Sequence, residues 1–235
     1  MGMDVQVHKL TLDWRIGHTG SIANSAGIVV VVKKTWLIGI DEVGRGPLAG
    51  PVAVGVVLVP VDFDWHALPG VTDSKQLSEQ KREEIAEQAK TLMRQGRLHY
   101  CVRTTSAPVI DRIGIVPAID HALVRGLENV IKGGSVEPCE TLVKLDGGLR
   151  APAMWPQQET IIKGDSQEPV IGLASIVAKV ARDRYMCRLA TRAGYTPYDF
   201  AAHKGYGTQA HRAAIAQHGL SPQHRRSYCK NIELL

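Results

Sequence analysis

The segment that most constrains this chain is Trp36 to Pro60, WLIGIDEVGRGPLAGPVAVGVVLVP. Leu37 to Ile40 is a short apolar run and Val52 to Val59 a second one rich in Val, so both have the composition of buried strands. Between them stand Asp41, Glu42 and Arg45, with Gly44, Gly46 and Gly50. Two adjacent carboxylates at the end of a buried strand repel one another and lose hydration, a cost that a cation or hydrogen bonds must offset. A hard divalent ion would do so. Successive side chains of a regular strand point to opposite faces, so Asp41 and Glu42 share one ion only where the strand stops or through a backbone carbonyl. The glycines mark such a stop. They also let a ligand approach bare N–H groups, and Arg45 between two of them adds a guanidinium, a combination suited to phosphate. A tight turn with water-facing acids accounts for this segment alone equally well, and neither GxxxxGK[ST] nor GxGxxG is present.

Further along, two more carboxylates follow short apolar runs. Thr141 to Leu145 reads as a strand ending on Asp146-Gly147-Gly148, and Thr160 to Ile162 as one running into Lys163-Gly164-Asp165. Each Asp by itself is an ordinary turn residue. Delivered from neighbouring strands about 5 Å apart, however, they can converge with Asp41 and Glu42 on one cleft. Four carboxylates suffice for two metal ions ~4 Å apart, the arrangement that clamps the attacking and leaving oxygens of a phosphodiester.

The intervening pattern is that of an α/β domain on a mixed sheet. Asp73-Ser74-Lys75 precedes a helix with Ser78 as N-cap, Ile85, Ala89, Leu92 and Met93 as its apolar stripe, and Gly96 as its stop. Leu98 to Thr104 reads as a strand. Pro117 opens a helix with Ile119, Leu123, Leu127, Val130 and Ile131 buried, ended by Gly133-Gly134. A long helix from about Ile171 to Arg192 turns Ile176, Val177, Val180 and Leu189 inward and Lys179, Arg182 and Arg188 outward. A last helix runs from Thr208 to His218. For residues 1–35 three readings stay open: a tail, an added edge strand around Ile28 to Val32, or a mistaken start.

The 235 residues, 44% apolar, suffice for one well-filled core and are few for two. Cys101, Cys139, Cys187 and Cys229 form no CxxC, which indicates neither a zinc site nor a disulfide framework and fits a reducing compartment. No run approaches a membrane span and no signal-peptide core stands near the start, so a cytoplasmic location with no membrane partner is expected. Net charge is +5, but Lys179 to Leu235 carries 10 Lys or Arg against 3 Asp or Glu, while the other 178 residues carry 18 and 20. A basic last quarter beside an acidic site suits a polyanion held against metal ions.

IDEVGRGPLAGPV resembles the signature of the type 2 ribonucleases H, and of ribonuclease HII in particular. The resemblance extends from about Trp36 to Tyr228 through DSKQLS, KGD, ASIVAKVARD, AHKGYGT and HRRSY. It implies a ribonuclease H-like α/β fold over 36–235, a central mixed five-stranded sheet flanked by helices, with 1–35 an N-terminal extension of unassigned role. The implied activity is hydrolysis of RNA in RNA–DNA hybrids and 5′ of single ribonucleotides embedded in duplex DNA, leaving 3′-hydroxyl and 5′-phosphate ends. Two Mg2+ or Mn2+ ions are implied, and a monomer is expected. Carried over by position, Asp41, Glu42, Asp146 and Asp165 are the catalytic metal ligands. Gly44, Arg45 and Gly46 resemble the loop that reads the ribose 2′-hydroxyl and the scissile phosphate, and Tyr206 the aromatic that packs on the following deoxyribose. Ser74, Lys75, Ser175, Lys179 and Arg182 are further candidates for phosphate or cleft contacts. Gly148 departs from the Asn often found there. The competing readings are a ribonuclease HIII-like or other two-metal nuclease without junction specificity, which Arg45 and Tyr206 disfavour, and a hybrid-binding protein that does not cut.

Overall fold

The computed structural model describes residues 15–16, 21–23, 29–31, 35–134 and 136–232. In chain order the strands and helices are β1 (Arg15–Ile16), β2 (Ser21–Ala23), β3 (Val29–Val31), β4 (Trp36–Val43), β5 (Val52–Pro60), α1 (Glu79–Arg94), β6 (His99–Thr105), α2 (Ala107–Ile113), α3 (Ile115–Gly134), β7 (Thr141–Asp146), β8 (Gln158–Ile161), α4 (Gly164–Gln167), α5 (Pro169–Ala190), α6 (Phe200–His203) and α7 (Gln209–His218). The main sheet has the order β6-β5-β4-β7-β8. Strands β4, β5 and β6 are antiparallel neighbours, whereas β7 runs parallel to β4 and β8 parallel to β7. This is the expected mixed five-stranded sheet. Of the three readings left open for residues 1–35, an added edge strand around Ile28 to Val32 is not what the described residues show: β3 pairs with β2 in a separate three-stranded sheet rather than at the edge of the main one. Ile28 and Val32 themselves lie outside the described residues.

Alternation in β4 and β5 feeds two cores. Ile38, Ile40, Val54, Val56 and Leu58 pack with the apolar stripe of α3, including Ile119, Leu123, Leu127 and Val130. Val57 and Val59 pack on the opposite face with Ile85, Ala89 and Leu92 of α1 and with Ile171, Ala174, Ile176 and Val177 of α5. Helix α1 starts as its sequence dictates, Ser78 accepting a hydrogen bond from the Lys81 N–H, and stops at Gly96, whose φ of 70° suits a residue without a side chain. Helix α2, wedged between β6 and α3, has no counterpart in the sequence reading.

Two glycines set how closely α5 lies on the sheet. A Cβ on Gly39 of β4 would stand 2.2 Å from the Val170 carbonyl oxygen, and one on Gly55 of β5 would stand 2.2 Å from the Ala174 carbonyl oxygen. The helix backbone therefore rests directly on the strands. Gly55 pairs with Asp41, so this contact also fixes the height of α5 beside the first carboxylate. Gly55→Ala would force helix and sheet apart, and overpacking of this kind costs about 1–3 kcal/mol. Urea unfolding should show the loss, and an unchanged midpoint would contradict the close approach.

Candidate active site

Strand β4 does not stop at the acidic pair but continues through Val43, so Asp41 and Glu42 diverge as alternate residues must. Asp41 is buried at 4% exposure, its Oδ1 accepts from the Glu42 N–H at 2.7 Å, and the Ser175 hydroxyl of α5 lies beside its carboxylate. Glu42 instead accepts from Arg45 Nη1 at 3.1 Å. Asp146 ends β7, the parallel neighbour of β4, and its Oδ1 accepts from the Gly164 N–H at 2.7 Å. That bond ties the end of β7 to the start of α4. Lys163, held in the left-handed region with φ of 57°, makes the turn that brings in Asp165, the second residue of α4, 5% exposed. Carboxylate oxygens of Asp41, Asp146 and Asp165 all lie within 4.8 Å of one another. Glu42 is not in this group.

Burial dominates the electrostatics. It pushes the Asp41 carboxyl up from 3.8 to about 8; the negative charges of Glu42 and Asp146 add to the effect, and the Ser175 hydroxyl opposes it. Asp165 is raised by burial and then by the charges of Asp73 and Asp146, against Lys75. Glu42 is raised by burial, against its bond with Arg45. The one ion-pair partner of the three grouped carboxylates among the described residues is Lys75, whose Nζ is 3.6 Å from Asp165 Oδ2 and whose side chain is 78% exposed. Clustered, buried and under-compensated carboxylates are a donor set for a hard divalent cation, and the residues present fit one.

One cleft of about 250 Å³ collects most of the expected site. Asp41, Glu42, Asp146 and the loop Gly44-Arg45-Gly46 line one part of it, and Ser74, Lys75, Ser175, Lys179 and Tyr206 the rest. The Ser74 and Ser175 hydroxyls are 2.8 Å apart and buried, so they brace the cleft floor and Asp41 rather than face a ligand freely. Tyr206 is 41% exposed with Lys179 Nζ 5.8 Å from its ring centre. Lys179 is also paired with Asp183 at 2.8 Å. A larger open depression of about 580 Å³ on α1 is lined by Glu84, Glu87, Gln88 and Arg97 among others and contains none of these groups.

Arg182 overturns its expectation. It is fully buried, and its guanidinium donates to the carbonyls of Pro51 at 2.9 Å, Lys204 at 3.0 Å and Ala49 at 3.2 Å. Helix α5 is covered on the side that the sequence suggested was wet, and three carbonyls supply the acceptors that a buried guanidinium requires. Fully buried and absent from the cleft lining, Arg182 is not placed to meet a phosphate there. Arg225, absent from the expected site, is likewise buried under the glycine loop, and Arg184 pairs with Glu83 and Glu87 of α1. Arg182, Arg184 and Arg225 of the basic last quarter are thus spent on internal contacts, whereas Arg188, Arg192, Arg212, Arg226 and Lys230 are exposed. Asp73, which stands directly before Ser74-Lys75, was also missed: it interacts with Asp165.

With metal absent, Asp41 keeps its proton where an unfolded Asp has lost it. Its stabilising effect is full below about pH 3.8 and is lost as pH rises through about 8. Thermal unfolding in EDTA should show this fall across neutral pH, and Asp41→Asn should flatten it. The same slope in both proteins would contradict the assignment.

A model of the ribonuclease HII family matches residues 38–231. The chain is 40% identical over 190 residues to ribonuclease HII of Halalkalibacterium halodurans, covering 81% of this chain and 66% of that protein. It is equally 40% identical over 190 residues to ribonuclease HII of Endomicrobium trichonymphae, covering 81% and 83%. The crystal structure of ribonuclease H2 from Pyrococcus horikoshii OT3 superposes with a TM-score of 0.64 over 84% of this chain and 97% of that one, at 24% identity, and shares the fold. This chain belongs to the ribonuclease HII family, a family of ribonucleases H.

Proposed function

We propose that the chain is a metal-dependent endonuclease that hydrolyses RNA in RNA–DNA hybrids and on the 5′ side of single ribonucleotides embedded in duplex DNA. The observation that carries this reading is the gathering of Asp41, Asp146 and Asp165 beside a cleft that the glycine loop and Tyr206 also line. Asp41, Asp146 and Asp165, with Glu42 on the adjoining wall, would hold two Mg2+ or Mn2+ ions. Bound divalent ions supply a nucleophilic water at neutral pH and neutralise charge developing on the phosphate and the leaving 3′-oxygen. The products are 3′-hydroxyl and 5′-phosphate ends.

The chain's own groups do the rest. Ser175 and the Gly164 N–H orient Asp41 and Asp146. Glu42 and Arg45 neutralise each other here; once separated, the carboxylate can serve a cation and the guanidinium a phosphate. Gly46 borders open space, so a sugar can approach the loop backbone closely enough for N–H groups to meet a 2′-hydroxyl. The exposed Tyr206 ring offers an apolar face to the next sugar, and Lys75 and Lys179 add positive charge on the same side. Four free cysteines, and the absence among the described residues of a helix long and apolar enough to cross a membrane, agree with a cytoplasmic enzyme.

The test is a labelled duplex carrying one ribonucleotide, incubated with Mg2+ or Mn2+ and mapped. Cleavage 5′ of the ribonucleotide is expected; cleavage on its other side, or none, would overturn the reading. Asp41→Asn and Asp146→Asn should each lose roughly 100-fold or more in rate, since losing even an outer partner of a metal ligand costs ~10–100-fold. Tyr206→Ala separates junction reading from general hybrid cutting. Loss of an aromatic platform costs ~1–3 kcal/mol, roughly ten- to a hundredfold, on the single-ribonucleotide duplex but not within a long RNA strand, where no deoxyribose follows. An equal fall on both substrates would favour a nuclease without junction specificity.

A further inference from the structure

The segment Ser221 to Arg225 touches both halves of the reader assigned above. Its backbone lies alongside the glycine loop: the Arg225 N–H donates to Leu48 O at 2.7 Å, and the Gly50 N–H donates to Gln223 O at 2.8 Å. The Arg225 side chain, with no exposure, then spans the underside of that loop. Nη2 donates to Gly44 O at 2.6 Å, Nη1 to Arg45 O at 2.8 Å and Nε to Gly50 O at 3.0 Å. The N–H groups of Arg45 and Gly46, by contrast, meet no acceptor among the described residues. The loop is therefore polarised, its carbonyls gripped from below and its amides left free.

That polarity does not follow from the loop sequence. Glycine-flanked peptides turn over easily, and a peptide turned over would present a carbonyl where a phosphate or hydroxyl needs a donor. A planar fork holding two successive carbonyls at once resists such a turn in a way that a single point charge does not.

The neighbouring His224 reaches the other half. The Ser221 N–H donates to His224 Nδ1 at 2.8 Å, so that nitrogen is an acceptor and the proton of the neutral ring sits on Nε2. His224 Nε2 is 3.0 Å from His211 Nε2, which must then accept, leaving the His211 proton on Nδ1. His211 Nδ1 lies 2.9 Å from the Tyr206 carbonyl oxygen and donates to it. All donors run one way, from Ser221 to the backbone of the exposed tyrosine. Both rings are buried.

We infer that His224 and Arg225 are positioning residues for substrate discrimination, one fixing the backbone of Tyr206 through His211 and the other fixing the peptide orientation of the Gly44-Arg45-Gly46 loop. The inference rests on the junction reading of that loop and that ring. It makes specificity depend on a segment about 180 positions from the loop in sequence, with no atom of either side chain in the cleft lining.

The experiment compares kcat/KM on a single-ribonucleotide duplex and on a long RNA–DNA hybrid for wild type, Arg225→Lys and His224→Gln, with thermal midpoints for each. Arg225→Lys keeps the charge and loses the fork. The junction-to-hybrid ratio should fall roughly tenfold in each variant, because misplacement by about 1 Å costs up to ~100-fold. Faster amide hydrogen exchange at Gly44 to Gly46 in Arg225→Lys should accompany it. A variant that folds and keeps the wild-type ratio overturns its arm of the inference, as does a fall shared equally by both substrates, which marks a structural role. If one variant fails to fold, the other arm still decides. A wild type that shows no junction preference overturns the proposed function itself, a different outcome from a preference that both variants retain.

Discussion

The packing of α5 backbone against bare strand is the contact on which the site depends. At Gly39 and Gly55 no side chain separates the Val170 and Ala174 carbonyls from the sheet. That approach brings Ser175 to the Asp41 carboxylate and, two turns later, sets Arg182 beneath the glycine loop, where its Nε would stand 2.2 Å from a Cβ on Gly44. One rigid helix thus fixes the first carboxylate and part of the loop's floor. Sites carried on such elements hold their geometry better than sites on loops alone.

The cleft is built with its charges out of balance. Burial and mutual repulsion raise Asp41 and Asp165, while among the described residues the grouped carboxylates have only the exposed Lys75 as an ion-pair partner. Of the positive groups expected to answer them, Lys75 and Lys179 line the cleft and Arg182 does not. Arg182 and Arg225 are fully buried and bind backbone carbonyls, and Lys179 is half committed to Asp183. A folded protein tolerates this arrangement by holding a proton in the cluster, or by exchanging it for a divalent cation.

What the sequence made legible follows from how local each signal is. Asp146 ends β7 before two glycines, Asp165 follows Gly164 just beyond β8, and Asp41 lies near the end of β4, whose parallel pairing with β7 was enough to bring Asp41 and Asp146 together. The N-cap of α1 was equally plain, since Ser78 accepts from the N–H three residues on. Arg182 was misplaced because α5 is buried along most of its circumference, so its residues carry no reliable inside-outside period. The partners of Arg225 are carbonyls, which any residue provides, so nothing in the sequence marks them. Glu42 shows the limit from the other side: adjacency to Asp41 suggested a shared ion, whereas strand alternation sends it to Arg45.

The central claim is that Asp41, Asp146 and Asp165 form a divalent-cation site. Titration of the protein with Mn2+, following the free-ion electron paramagnetic resonance signal, tests it without any requirement for turnover. Wild type should take up Mn2+, and Asp146→Asn, with an unchanged fold by circular dichroism, should bind it at least ~10-fold more weakly. Equal uptake by both proteins, or none by either, would contradict the account.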